Sequence, residues 1–208
     1  MQSNLPKPSV ARLCVLYRFL EECQKNGIKT ISSSQIANRL GLGSHSIRKD
    51  ISYLGEMGDS GMGYDVEKLK SCISNKLGLH KERRACVVGL GRLGCSIMNY
   101  TGFTASGYRI VAGFDSNINK LETIRTDIDL YPSYEIVEVV KRKQIELAVV
   151  AVPAKSAQEV ADRLIEGGVR GIVNFAPVII KPKSPNVFVR NVDVVGEFDL
   201  LSALITLS

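Results

Sequence analysis

A chain of 208 residues, 45% hydrophobic and 23% charged, suits one generous globular domain or two modest ones. It shows no apolar run near the ~20 residues of a membrane span and no basic-then-apolar leader, so a cytoplasmic location is expected. The net charge of +6 is uneven: residues 1–84 hold 14 Lys and Arg against 8 Asp and Glu, whereas residues 85–208 hold 13 of each, which points to a polyanion partner for the first part.

In chain order, "SVARLCVLYRFLEECQKNG" spaces Val10, Leu13, Leu16, Tyr17 and Leu20 as a helix does, with Gly27 as its stop. A short extended piece, "IKTIS", leads to Ser32, Ser33 and Ser34, whose hydroxyls can cap a second helix with Ile36, Ala37 and Leu40 on one face. Gly41 and Gly43 bracket a tight turn, and a third helix follows over residues 44–54 with Ile47, Ile51 and Leu54 inward. Two short helices joined by a glycine-containing turn are the helix-turn-helix pattern. Ser44, His45, Ser46, Arg48, Lys49 and Ser52 are left for the outer face or the N-terminal end, where short polar groups and long cations can reach base edges in a major groove. "GEMGDSGMGY" supplies four glycines for a tight loop, read as the wing of a winged helix with Ser60 and Gly61 at its tip. Residues from Asp65 return to helical periodicity, and the polar stretch at 80–84 marks a domain boundary.

Beyond it, apolar strands alternate with helices: "RACVVG", "YRIVAGFD", "ELAVVAVP" and "RGIVNFAP" are strands, while "RLGCSIMNYTGF", "SYEIVEVVKRKQ" and "AKSAQEVADRLIEGG" are helices. That alternation predicts a parallel sheet covered on both faces. Gly89, Gly91 and Gly94 form G-x-G-x-x-G between a strand and a helix. The first permits the turn, the second lets backbone approach a pyrophosphate, and the third lets helix and strand pack closely. Asp115 ends the next strand, 26 residues after Gly89, where an acid holds the adenosine ribose and repels a 2′-phosphate, so NADH and NAD+ are the expected cofactors. Arg92 and Leu93 lie inside the motif; Val152, Pro153 and Asn174 end strands where the crevice should frame the nicotinamide half. Five scattered cysteines without a C-x-x-C pair, and two histidines 35 positions apart, predict neither a disulfide framework nor a metal site. The second part has no histidine and no assembled proton-transfer group, which favours binding without turnover, so no catalytic residue is assigned. The final stretch carries Asp193 as an N-cap followed by a helix with nine apolar residues among the last fifteen, which predicts burial against a partner subunit.

"SVARLCVLYRFLEE", "SIRKDISYLGEMG", "GMGYDV", "VVGLGRLG", "NYTGF", "VNFAPV" and "NVD" occur in an order that resembles the Rex family of redox-sensing transcriptional repressors across nearly the whole chain. The resemblance implies a homodimer that holds a palindromic operator duplex when NAD+ dominates and leaves it when NADH rises. It also places Arg48 and Lys49 on the recognition helix and gives Arg18, Tyr100 and Asp193 a part in a nucleotide-sensitive switch between subunits and domains. One departure is Ser60, where family wings usually carry Arg or Lys. The expected organisation is a winged helix-turn-helix domain over 1–80, a Rossmann-like NAD(H)-binding α/β domain over 81–192, and a domain-swapped helix over 193–208. The rival reading is an NAD-dependent oxidoreductase with an N-terminal dimerisation module; a coenzyme A-binding or other nucleotide-binding regulator that needs no DNA is a third.

Overall fold

Residues 5–55 and 63–208 are described in the computed structural model, and the chain divides into two compact units, Met1–Lys81 and Glu82–Ser208. The predicted wing tip, with Ser60 and Gly61, lies outside the described residues.

In the first unit, α1 (Lys7–Lys25) buries Leu13, Leu16, Leu20 and Cys23, the stripe that its helical spacing predicts. After β1 (Thr30–Ile31), Ser32 caps α2 (Ser33–Leu40) with a reciprocal bond to Gln35, and Gly41 ends it at φ +63°. Then α3 (Ser44–Ser52) sinks Ile47 and Ile51 into a shared apolar core with Leu13, Leu16, Ile36, Leu69 and Ile73. The strand β2 (Tyr64–Asp65) pairs antiparallel with β1, and Asp65 caps α4 (Val66–Leu77) by accepting from the Lys68 amide. These four helices and the small β1–β2 ribbon make the winged-helix scaffold.

The second unit contains β3 (Arg83–Val88), α5 (Arg92–Met98), α6 (Gly102–Ala105), β4 (Tyr108–Asp115), α7 (Ile118–Thr123), β5 (Leu130–Pro132), α8 (Ile136–Lys143), β6 (Leu147–Val150), α9 (Ala154–Gly167), β7 (Gly171–Asn174), β8 (Phe188–Asn191) and α10 (Val194–Leu207). The strands stand in the order β5-β4-β3-β6-β7-β8, every neighbouring pair parallel. This is the doubly wound Rossmann arrangement, with its reversal of strand order between β3 and β6. Burying residues such as Phe114, Ile136 and Leu164 completely contributes roughly 1.5–3 kcal/mol each.

Departures from the sequence reading have physical causes. The single helix expected after the glycine motif breaks in two: the Asn99 side chain turns back to donate to the Cys95 carbonyl, and the Tyr100 ring occupies the space where a Cβ on Gly102 would stand, 2.2 Å away. The strands β5 and β8 were not anticipated because one is three residues long and half-buried and the other is a mostly exposed edge, so neither carries an apolar run. In α10, capped by Asp193 through the Gly196 amide, no residue is buried; Phe198 is 70% exposed and Ile205 76%. No helix among the described residues is long and apolar enough to cross a membrane.

Candidate functional site: a nucleotide crevice and a basic recognition helix

The crevice forms where the sheet reverses strand order. At the end of β3 the chain turns through Gly89 at φ +92°, where a Cβ would stand 2.4 Å from the Ala151 carbonyl oxygen. Gly94 packs so tightly beneath that its Cβ would lie 1.9 Å from the Gly89 oxygen, whereas a Cβ on Gly91 would meet nothing within 4 Å. Two glycines are therefore required by packing, and the middle one leaves open space for a ligand to approach the backbone. The resulting cavity of about 700 Å³ is lined by Gly89, Gly91, Asp115, Val152, Pro153 and residues of α9. A mononucleotide-scale ligand or larger fits such a volume.

Asp115 is only 7% exposed. Burial pushes its carboxyl up, but the Asn117 amide, the Lys120 ammonium and the Leu90 amide outweigh that and hold it below the usual value. Oδ2 accepts from the Leu90 N–H at 2.8 Å and from Lys120 Nζ at 3.0 Å, and Oδ1 accepts from the Asn117 N–H at 2.9 Å. Asp115 therefore joins the glycine turn to the loop after β4, and the lone-pair capacity left on Oδ1 is what it can offer a hydroxyl. Lys120 also lines the cavity. Sequence reasoning gave Lys120 no role; the available signal was a cation five residues beyond the strand-ending acid. On the far wall, Arg163 of α9 donates to Glu159 at 2.7 Å and to the Ser133 carbonyl at 3.4 Å.

The remaining cofactor candidates fall elsewhere. Arg92 and Leu93 open α5 with exposed side chains, outside the residues that line the cavity. Asn174, expected to frame the nicotinamide half, is fully buried, and its carboxamide is consumed by Ala176, Val178 and Asn191. It shapes the end of β7 and presents no free polar group.

On the first unit, His45, Arg48, Lys49 and Ser52 are exposed on α3, and Ser44 and Ser46 are half-buried at its N-terminal turn. Arg48 donates to the Ser33 hydroxyl at 3.2 Å, and the Ser52 hydroxyl donates to the Lys49 carbonyl at 2.7 Å. The helix is held from below by a pair that sequence reasoning missed. Asp50, 1% exposed, accepts from Arg12 Nε at 2.5 Å and Nη2 at 2.8 Å. Burial pushes the Asp50 carboxyl up, but hydrogen bonds from Arg12 and Ser9 and the charges of Arg12 and Lys49 bring it below the ordinary value. The signal was there: Asp50 sits three residues after Ile47 and beside Ile51, on the apolar face, where an acid needs a cation.

The three switch candidates belong to different segments of the chain. Arg18 is exposed on α1 in the first unit. Tyr100, 64% exposed, meets Phe103 edge to face and borders a cavity with Arg125 and Asp127. Asp193 caps α10.

Comparison with known proteins now bears on both surfaces. A family model described as "CoA binding domain" matches residues 80–178, and one described as "Putative DNA-binding protein N-terminus" matches residues 4–52. A redox-sensing transcriptional repressor Rex from Pelotomaculum thermopropionicum is 38% identical, with 96% of this chain and 93% of the relative covered. Rex 1 of Thermotoga maritima is 39% identical over 97% of this chain and 96% of its own length. Among solved structures, RSP in complex with beta-NAD+ and operator DNA superposes with a TM-score of 0.89 at 30% identity, covering 98% of this chain and 94% of that one. RSP in complex with beta-NADH gives 0.85 at 29% identity, covering 98% and 95%. With near-complete coverage by relatives of that name, and with a helix-turn-helix unit and a Rossmann crevice in one chain, the protein belongs to the Rex family of redox-sensing transcriptional repressors.

Proposed function

We infer that this repressor binds operator DNA through α3 and is released from it when NADH fills the crevice of the second unit. The observation that carries the reading is the conjunction of the open Gly91 backbone and the Asp115 carboxylate in one cavity with an exposed basic helix in the same chain. That RSP has been solved both with beta-NAD+ and operator DNA and with beta-NADH supports the same ligands here. Gly89, Gly91 and Gly94 build the pyrophosphate turn, with Arg92 and Leu93 at its rim. Asp115, assisted by Lys120, takes the adenosine ribose, and Val152 and Pro153 wall the nicotinamide side, with Asn174 supporting them from beneath. On DNA, Ser44, His45, Ser46 and Ser52 meet the duplex around Arg48 and Lys49, and Ser60 and Gly61 form the wing.

A family reader of half-sites works as a two-fold dimer on a palindromic duplex. The exposed apolar surface of α10 supports a homodimer, with the helix exchanged onto the partner. Arg18, Tyr100 and Asp193 act as the switch between the nucleotide and DNA sites, and the protein works in the cytoplasm. NADH and NAD+ differ by one hydride and one charge, so only a contact that distinguishes them can shift the equilibrium.

The test is a titration of NADH, at fixed NAD+ and salt, against the protein bound to a fluorescent palindromic duplex. Release by NADH is the expected outcome. Binding indifferent to NADH would assign the crevice another ligand, and substrate-dependent hydride turnover would restore the oxidoreductase reading.

A further inference from the structure

The strands β7 and β8 run parallel and end in register at Asn174 and Asn191. Asn174 Nδ2 donates to the Val178 carbonyl at 2.7 Å, to the Ala176 carbonyl at 3.3 Å and to Asn191 Oδ1 at 2.9 Å, while its Oδ1 accepts from the Ala176 N–H at 3.0 Å. Facing three acceptors and one donor, the amide has one possible orientation. Asn191 is thereby oriented too: its oxygen faces Asn174 and also receives the Ile180 N–H at 3.4 Å.

These bonds join two segments with different neighbours. On one side, residues 175–180 continue from β7 at the carboxyl edge of the sheet, where the Phe175 N–H donates to the Val150 carbonyl at 2.8 Å, beside the turn that walls the crevice with Val152 and Pro153. On the other side, the Val192 N–H donates to the Asn174 carbonyl at 2.8 Å, and the next residue, Asp193, caps α10 through Gly196 at 3.0 Å. That cap is tight, since a Cβ on Gly196 would stand 2.8 Å from Asp193 Oδ2. A small cavity of about 190 Å³ separates the segments, with Ala176, Pro177 and Val178 on one wall and Asn191, Val192 and Asp193 on the other.

We propose that Asn191 is a positioning residue that clamps the 175–180 segment to the start of α10, so that a change at the crevice is carried to the Asp193 cap. The clamp rests on the reading of NADH as the releasing ligand. Its logic is that of a contiguous hydrogen-bonded path between a ligand site and a helix presented to a partner, a path that counts only when coupling is measured.

The experiment uses the full-length protein and two variants. Asn191→Ala removes the clamp: Asn174 keeps two carbonyl acceptors, and the buried Ile180 N–H loses the long 3.4 Å bond that it makes to Asn191. Asn191→Asp keeps an oxygen acceptor toward Asn174 and Ile180. Operator affinity is measured with and without saturating NADH, and NADH affinity is measured without DNA. For Asn191→Ala, the NADH-free operator affinity and the NADH affinity stay within about twofold, while the ratio of operator affinities falls roughly threefold to tenfold, the worth of one net hydrogen bond. Asn191→Asp keeps most of the ratio. An unchanged ratio in Asn191→Ala, an equal loss in Asn191→Asp, or a parallel loss of NADH affinity would overturn the proposal. A wild-type ratio of one would overturn the NADH reading and the clamp with it.

Discussion

Replacing Asp50 by Asn tests whether the recognition helix is anchored by charge. The carboxylate is almost fully buried and takes two bonds from Arg12, whose side chain is 31% exposed. Breaking a fully buried pair costs roughly 3–5 kcal/mol, and a charge-assisted hydrogen bond contributes roughly 1.5–3 kcal/mol. Because Arg12 keeps part of its hydration and an asparagine oxygen can still accept one bond, the expected loss is about 2 kcal/mol. Hydrogen exchange of α1 and α3 amides in the full chain reads this unit by itself, and protection there should drop about thirtyfold at neutral pH while β3 and β6 are unaffected. The pH dependence has a definite sign. Since the folded Asp50 carboxyl titrates below its ordinary value of 3.8, its contribution is present in full above that value and disappears as pH falls through the lower, folded one. Wild type and Asp50→Asn should therefore converge in strong acid. A change in protection of less than twofold at neutral pH would refute the anchoring argument, as would a difference that survives to the lowest pH at which the fold persists.

Gly94→Ala should abolish NADH binding or the fold of the second unit, because its Cβ would meet the Gly89 oxygen at 1.9 Å; fluorescence titration with NADH together with circular dichroism checks it. Asp115→Ala should weaken NADH binding by about tenfold or more and narrow the preference over NADPH, since it removes a ribose acceptor and orphans the buried Leu90 N–H; unchanged preference in competitive titrations would undo the ribose assignment. Lys49→Ala should weaken operator binding and lower the salt slope by about one, leaving NADH affinity intact, as fluorescence anisotropy across a salt series would show. Leu204→Lys, placed on the exposed apolar surface of α10, should shift sedimentation toward the monomer and weaken binding to a two-half-site duplex.

Much of this protein was determined by local sequence. The Ser32 cap, the left-handed stops at Gly41 and Gly78, the buried stripe of α1 and the strand–glycine–helix unit at 83–98 are each specified within a few residues, because capping, turn chemistry and apolar periodicity act over one or two helical turns. The strand-ending Asp115 was legible for the same reason. What tertiary structure alone decided are the pairings between distant segments. Arg12 finds Asp50 across 38 positions, Asn174 commits its amide to Asn191 across 17, and the weak strands β5 and β8 take their places only because β4 and β7 supply ready edges. A hydrogen bond or ladder between distant residues leaves no periodic trace in the chain. It becomes visible only when folding brings together groups whose burial would be costly without a partner.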